Sequence, residues 1–330
     1  MMQQSHNQGL TQARNESSGA GRNPRKSLRQ MLHNPIVFSE CKVKMRSWRA
    51  PIGILIYVGC LTVFLLILLS LTNNGSYYFS DYSETGRLVF MVLSIAQFFI
   101  MIFIAPGATS GAISSEREKQ TLDLLLCTQM RPVKIVLGKL ISAVGWVLLL
   151  LICTIPLYSI TFLYGGVSPQ AIVLVMLFLV VTAIVCGSVG LFYSTVFRRT
   201  VTSSIISYLT LLFIGIGSFI AAAVQAYLYF SRGSGGMFYN MDFIPAGYYL
   251  NPFVALFTLI SLLIGSEQGI FFEMLNIQVS NRYAYLYIGV DVLLMLALSV
   301  LLIFLSVKMI DPIKSRSRGK RRKSRRGGRV

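Results

Sequence analysis

Acid and histidine are scarce in this chain: among 330 residues, Asp and Glu total 12 against 30 Lys and Arg, and there are only 2 His. Charged residues make up 13%, well below the roughly one quarter usual in soluble domains, which excludes an ordinary water-soluble fold. Both histidines, His6 and His33, precede the first apolar run. Without buried bases, paired carboxylates or metal ligands in the apolar stretches, an intramembrane enzyme is not expected. Cys41, Cys60, Cys127, Cys153 and Cys186 stand alone, with no CxxC pair. They read as small apolar fillers and exclude a disulfide framework or a zinc site. No Gly-x-x-x-x-Gly-Lys-[Ser/Thr] run is present, so the backbone cradle of a P-loop is missing. No internal repeat is visible.

What is present is apolar: hydrophobic residues make up 54%, in uninterrupted runs instead of one-sided stripes. A helix with one wet face would not carry such runs, so lipid is their solvent. Crossing the hydrocarbon takes about 20 apolar residues as a helix, the fold that satisfies its own backbone there. Six stretches qualify, at 51–72, 88–112, 135–164, 171–197, 201–230 and 284–307. The third and fifth exceed the minimum and are expected to tilt or extend beyond the lipid. The first follows a long polar start and reads as an uncleaved signal-anchor.

Lys and Arg decide the orientation, because they are retained in cytoplasmic loops. With the N-terminus inside, Arg117, Lys119, Arg131, Lys134 and Lys139, the Arg198-Arg199 turn and the C-terminal tail all fall inside too. The outer loops then keep Arg87, Arg232 and Arg282 among several acids. The formal net charge of +18 gathers beside the first and last spans, where basic clusters attract anionic lipid at roughly 1 kcal/mol per residue. Anionic lipid is therefore the expected partner of these ends, and nucleic acid is not.

The apolar run 253–265 follows Asn251-Pro252 and is too short for an ordinary span. Counting it as a seventh crossing would place the polybasic tail outside, so it reads as an outer re-entrant or interfacial helix, with Tyr248 and Tyr249 at the headgroup level. Tyr77, Tyr78, Tyr82, Tyr283, Tyr285 and Tyr287 fit an aromatic belt. Residues 231–236 form a Gly/Ser linker.

The segment after the second span is the most informative. Pro106 and small residues loosen the end of that span, and Ser115 with Glu118 matches a capping box that would start a new short helix. Glu116, Glu118 and Asp123 fall in its first turns, where the macrodipole favours acid. Leu122, Leu125 and Leu126 follow at helical spacing, and Pro132 ends the helix. An amphipathic loop helix resting on the headgroups would show the same pattern.

The run Ser-x-Glu-Arg-Glu-Lys-x-Thr-Leu-Asp-Leu-Leu-Leu from Ser114, followed by Pro-x-x-Ile-Val-Leu-Gly-Lys from Pro132, closely resembles the cytoplasmic loop of ABC-2 type transporter permeases. The likeness extends over about residues 34–312. It implies a coupling helix that seats in a separate ATP-binding subunit, carried by Glu116, Arg117, Glu118, Leu122, Asp123, Leu125 and Leu126. It also implies an elbow helix where Asn34-Pro35-Ile36-Val37 leads into Glu40, Lys42, Lys44, Arg46 and Trp48, an amphipathic stretch suited to the interface. The Asn251-Pro252-Phe253 segment is similar to the family's outer re-entrant helices.

The resulting expectation is an all-α integral membrane protein of six transmembrane helices, with both termini cytoplasmic, in the cell membrane of a bacterium. A permease domain spans 34–312, flanked by disordered basic extensions at 1–33 and 313–330. It would act without cofactor as the non-catalytic, exporting, path-forming subunit of an ABC transporter, as a homodimer or heterodimer. An ion-driven transporter or channel would need several ionisable residues or an inverted repeat, and a membrane anchor would depend on its basic ends. Asp291 is the single acid well inside a span. It either lines a translocation path or serves as a neutral or hydrated packing residue.

Overall fold

The computed structural model of the protein describes residues 48–74, 82–121, 132–231, 248–249, 251–265 and 281–310. Among them the regular structure is helical, with no strand. In chain order the helices are α1 (Arg49–Asn74), α2 (Tyr82–Ser110), α3 (Ser114–Glu118), α4 (Pro132–Cys153), α5 (Ile155–Leu163), α6 (Pro169–Val196), α7 (Thr200–Ser231), α8 (Pro252–Ile264) and α9 (Asn281–Ile310). Six stretches are long and apolar enough to cross a membrane: α1, α2 continued by α3, α4 continued by α5, α6, α7 and α9.

Local chemistry sets several boundaries. Ser168 caps α6 by accepting from the Ala171 N–H, with Pro169 in the first turn, where a missing donor costs nothing. Asn251 caps α8 in the same way through the Phe253 N–H, ahead of Pro252. Gly265 closes α8 at φ +81°, a left-handed geometry that suits glycine. Pro106 does not end the second span; α2 runs through it to Ser110. A proline disturbs the carbonyls of the preceding turn, which neighbouring helices can then satisfy. Here the Tyr208 hydroxyl of α7 donates to the Phe103 carbonyl at 2.7 Å.

The third span is not one unbroken helix. It breaks at Thr154, two residues before Pro156, whose ring and missing N–H interrupt the ladder. The Thr154 hydroxyl donates to the Leu151 carbonyl at 2.7 Å and accepts from Gln97 Nε2 at 2.8 Å. The break is thereby fastened to the second span.

α6 is the central post, with 61% of its apolar window buried inside the protein against 6% for α7. Lipid offers no hydrophobic drive for helix association, so close packing depends on small residues. A β-carbon on Gly190 would strike Thr109 Oγ1 and stand 3.0 Å from the Pro106 carbonyl oxygen, and one on Gly187 would stand 2.8 Å from Val144. These two glycines let α6 sit directly on α2 and α4.

α8 packs against α9, α6 and α2, burying Val254, Ala255, Leu256, Leu259 and Ile260. The tyrosine belt needs correction at two positions. Tyr283 and Tyr285 are exposed, but Tyr248 and Tyr287 are buried, and the Tyr287 hydroxyl donates to the Tyr248 carbonyl at 2.9 Å. Tyr249 packs edge-on against Tyr287. This tyrosine cluster fastens the entry of α8 to α9. Tyr77 and Tyr78 lie outside the described residues.

Candidate functional site

α2 ends, α4 begins, α6 ends, α7 begins and α9 ends at one face of the bundle. Ile113, Val136, Leu140, Leu191 and Ile310 form a small apolar cluster there. α3 sits on this cluster; its start is satisfied by α6, and its last residue reaches the start of α7.

The five residues of α3 have no capping side chain of their own, so the expected capping box of Ser115 and Glu118 does not form. Instead Ser194 of α6 accepts from the backbone N–H groups of Ile113 at 2.8 Å and Ser114 at 2.9 Å. Two donors of the kind every helix start leaves open are met across the bundle. Glu118 faces α7: its carboxylate accepts from the Thr200 N–H at 2.8 Å and from the Thr200 hydroxyl at 3.1 Å. The acid predicted to cap its own helix caps the start of α7, where negative charge meets the positive end of the dipole.

Further polar contacts bind the same joint. Ser203 donates to the Ser110 carbonyl at 2.9 Å, and the Ser110 and Ser204 hydroxyls lie 2.7 Å apart. Lys139 of α4, its side chain 6% exposed, forms an ion pair with Glu116 at 2.7 Å. A nearly buried lysine at a span end requires such a partner.

After Glu118 the chain turns away through Gln120, at φ +57°, and the Thr121 N–H returns to the Glu116 carbonyl at 2.9 Å. This turn ends α3 within the segment where a longer helix is expected. Glu118 and Lys119 are exposed and Arg117 is half-buried, close enough to Arg198 to feel its charge.

Glu116, Arg117 and Glu118 therefore come together here, with Glu116 and Glu118 engaged within the protein. Leu122, Asp123, Leu125 and Leu126 lie outside the described residues, as do Glu40, Lys42 and Arg46. Trp48 is 82% exposed. Asp291 is fully buried between the spans, beside Tyr287. Among the described residues no group of three or more His, Cys, Asp or Glu could hold a metal ion.

Sequence reasoning missed Lys139, Ser194 and Thr200 as members of the joint. Lys139 is a topology signal and the last residue of the family-like Pro-x-x-Ile-Val-Leu-Gly-Lys run, with no sign of its partner, and nothing in the sequence pairs Ser194 with a backbone eighty residues earlier. The closeness of α6 was more accessible, because Gly187, Ser188 and Gly190 are small residues of the kind that marks close helix contact.

Arranged this way, the site is a junction at which several helix ends meet. The chain from 111 to 121 is tied to α4, α6 and α7 as well as to α2, from which it continues. A family model described as ABC-2 family transporter protein matches residues 20–310. No curated protein matches the chain.

Proposed function

The chain belongs to the ABC-2 family of transporter proteins and is a membrane permease of an ABC transporter; from that premise we propose that the α3 joint is where a separate ATP-binding subunit drives it. The observation that carries the reading is the pair of cross-bundle caps at Ser194 and Glu118. They make the α3 segment continuous with α6 and α7, so a force on residues 122–131 reaches more of the bundle than its two flanking spans.

In this reading the α3 face is cytoplasmic and Leu122, Asp123, Leu125 and Leu126 seat in the ATP-binding subunit. The elbow segment with Glu40, Lys42, Arg46 and Trp48 lies on the same membrane surface. Lys and Arg concentrated in the loops of this face support the orientation. The permease pairs with a second permease, and the transporter exports its cargo from the cell. The basic ends of the chain hold anionic lipid, and residues 34–312 form the permease unit. Asp291 acts from inside the bundle, where an acid costs about 2.5–3.5 kcal/mol on insertion scales.

The test purifies the chain with its candidate ATP-binding subunit and compares it with a Leu122→Asp/Leu125→Asp variant. Loss of assembly and of ATPase stimulation is expected. Unchanged assembly and stimulation would overturn the coupling role.

A further inference from the structure

The break between α4 and α5 releases backbone acceptors inside the third span. Pro156 has no N–H to offer the Ile152 carbonyl one turn back. The Leu157 N–H donates to the Thr154 carbonyl at 3.0 Å, in place of the Cys153 carbonyl that a continuous helix would serve. Hydrocarbon cannot supply the missing donors. Around the break runs a closed ring of neutral side chains. Tyr57 of α1 lies beside Cys153 and Tyr158. The Tyr158 hydroxyl reaches toward Ser94 Oγ of α2 at 3.4 Å, Gln97 stands one turn further along α2, and its Nε2 returns to Thr154 at 2.8 Å. Tyr57 is 8% exposed, and Ser94, Gln97, Thr154 and Tyr158 are fully buried.

The protons on this ring are committed in a way that leaves two atoms over. The Thr154 hydroxyl donates to the Leu151 carbonyl, so toward Gln97 it can only accept. That fixes the amide with Nε2 on Thr154 and Oε1 turned away from it. The Ser94 hydroxyl donates to the Phe90 carbonyl and is likewise an acceptor toward Tyr158. Gln97 Oε1 and the Tyr57 hydroxyl are both buried and find no hydrogen-bond partner among the described residues. Polar atoms withdrawn from solvent in this way are costly unless a partner reaches them.

We propose that the ring holds one buried water, which donates to Gln97 Oε1, accepts from the Tyr57 hydroxyl and gives its second proton to the Cys153 carbonyl. Internal waters make about three hydrogen bonds, and the ring supplies that number. It carries no acid, so a metal cation there would be a buried charge without a counter-charge. The water joins α1, α2 and the broken third span at one point. Only 17% of the apolar window of α1 is buried, so a polar hold at Tyr57 helps to decide where this span stands. A water can re-form its bonds as helices shift, which makes the break a place where α1 moves against α2 and α4. The water is held whether or not the α3 joint is driven by ATP.

X-ray radiolysis turns a bound water into a hydroxyl radical that oxidises the side chains touching it, and this supplies the test. The full chain is irradiated in nanodiscs, and initial oxidation rates are read by mass spectrometry, each relative to the rate of the same residue in the unfolded chain. Tyr57 and Tyr158 are expected to react several-fold faster than Phe178, a buried aromatic side chain of the apolar core. Gln97→Leu should bring Tyr57 down to the Phe178 level. Tyr57→Phe removes one hydroxyl and keeps the shape of the ring; it should lower Tyr158 to the same level, and it carries the test if Q97L fails to fold. Reaction of both tyrosines at the Phe178 level in the unaltered protein, or a rate left unchanged by its substitution in a folded variant, would overturn the proposal. So would rates that change when sodium and potassium are replaced by N-methylglucamine, which would assign the ring to a cation.

Discussion

Glu118 shows how little a single acid reveals before its neighbours are known. Its position after Ser115 fits a local capping box, yet its carboxylate is held by Thr200, at the start of α7. Removing a helix cap costs about 0.5–2 kcal/mol. Glu118→Ala should therefore lower thermal stability slightly while leaving Leu122 and Leu125 untouched. The expected result with the ATP-binding subunit is normal assembly with weakened ATPase stimulation, read by pull-down and phosphate release. Wild-type stimulation in E118A would remove α7 from the force path. Glu116 was legible as an acid near a helix start, but its partner Lys139 was not, because the pair joins two helices across a loop of unspecified path.

At the scale of elements, α6 depends on being thin. Gly190→Leu would drive a side chain into Thr109 and the Pro106 backbone, and over-packing of this kind costs about 1–3 kcal/mol. Gly145 in α4 has open space at its β-position, so Gly145→Leu serves as the control. A thermal-shift assay in detergent should show a lowered midpoint for G190L and little change for G145L; equal midpoints would show that α2 and α6 do not need this contact. The spans themselves were legible because twenty apolar residues in lipid have one economical backbone conformation. The break at Thr154 was less so. Pro156 signalled it, but whether a proline within a span interrupts the helix depends on its neighbours, as Pro106 in the continuous α2 demonstrates.

The whole molecule presents two unlike ends. One gathers α3, the start of α4 and the end of α9 around Ile113 and Ile310, and the other carries Arg282 at the start of α9, exposed. Single cysteines placed by Lys119→Cys and Arg282→Cys in a background lacking the native cysteines should report sidedness. A membrane-impermeant maleimide applied to intact cells is expected to label R282C and not K119C, with the reverse in inverted vesicles. Labelling of K119C from outside would put the joint on the wrong side for an ATP-driven subunit.

The sequence alone determined the membrane class, the number of spans, the short α8 and the neighbourhood of the joint, because each follows from local rules: run length, proline and glycine punctuation, and the distribution of Lys and Arg. Tertiary structure decided which helix completes which. Ser194, Thr200, Lys139 and Tyr287 carry no sign of these partners in one dimension and acquire their contacts only when distant backbone and side-chain groups reach them. Polar groups in lipid have no water to satisfy them, so their partners are set by how the helices pack, which the local pattern of the chain does not specify.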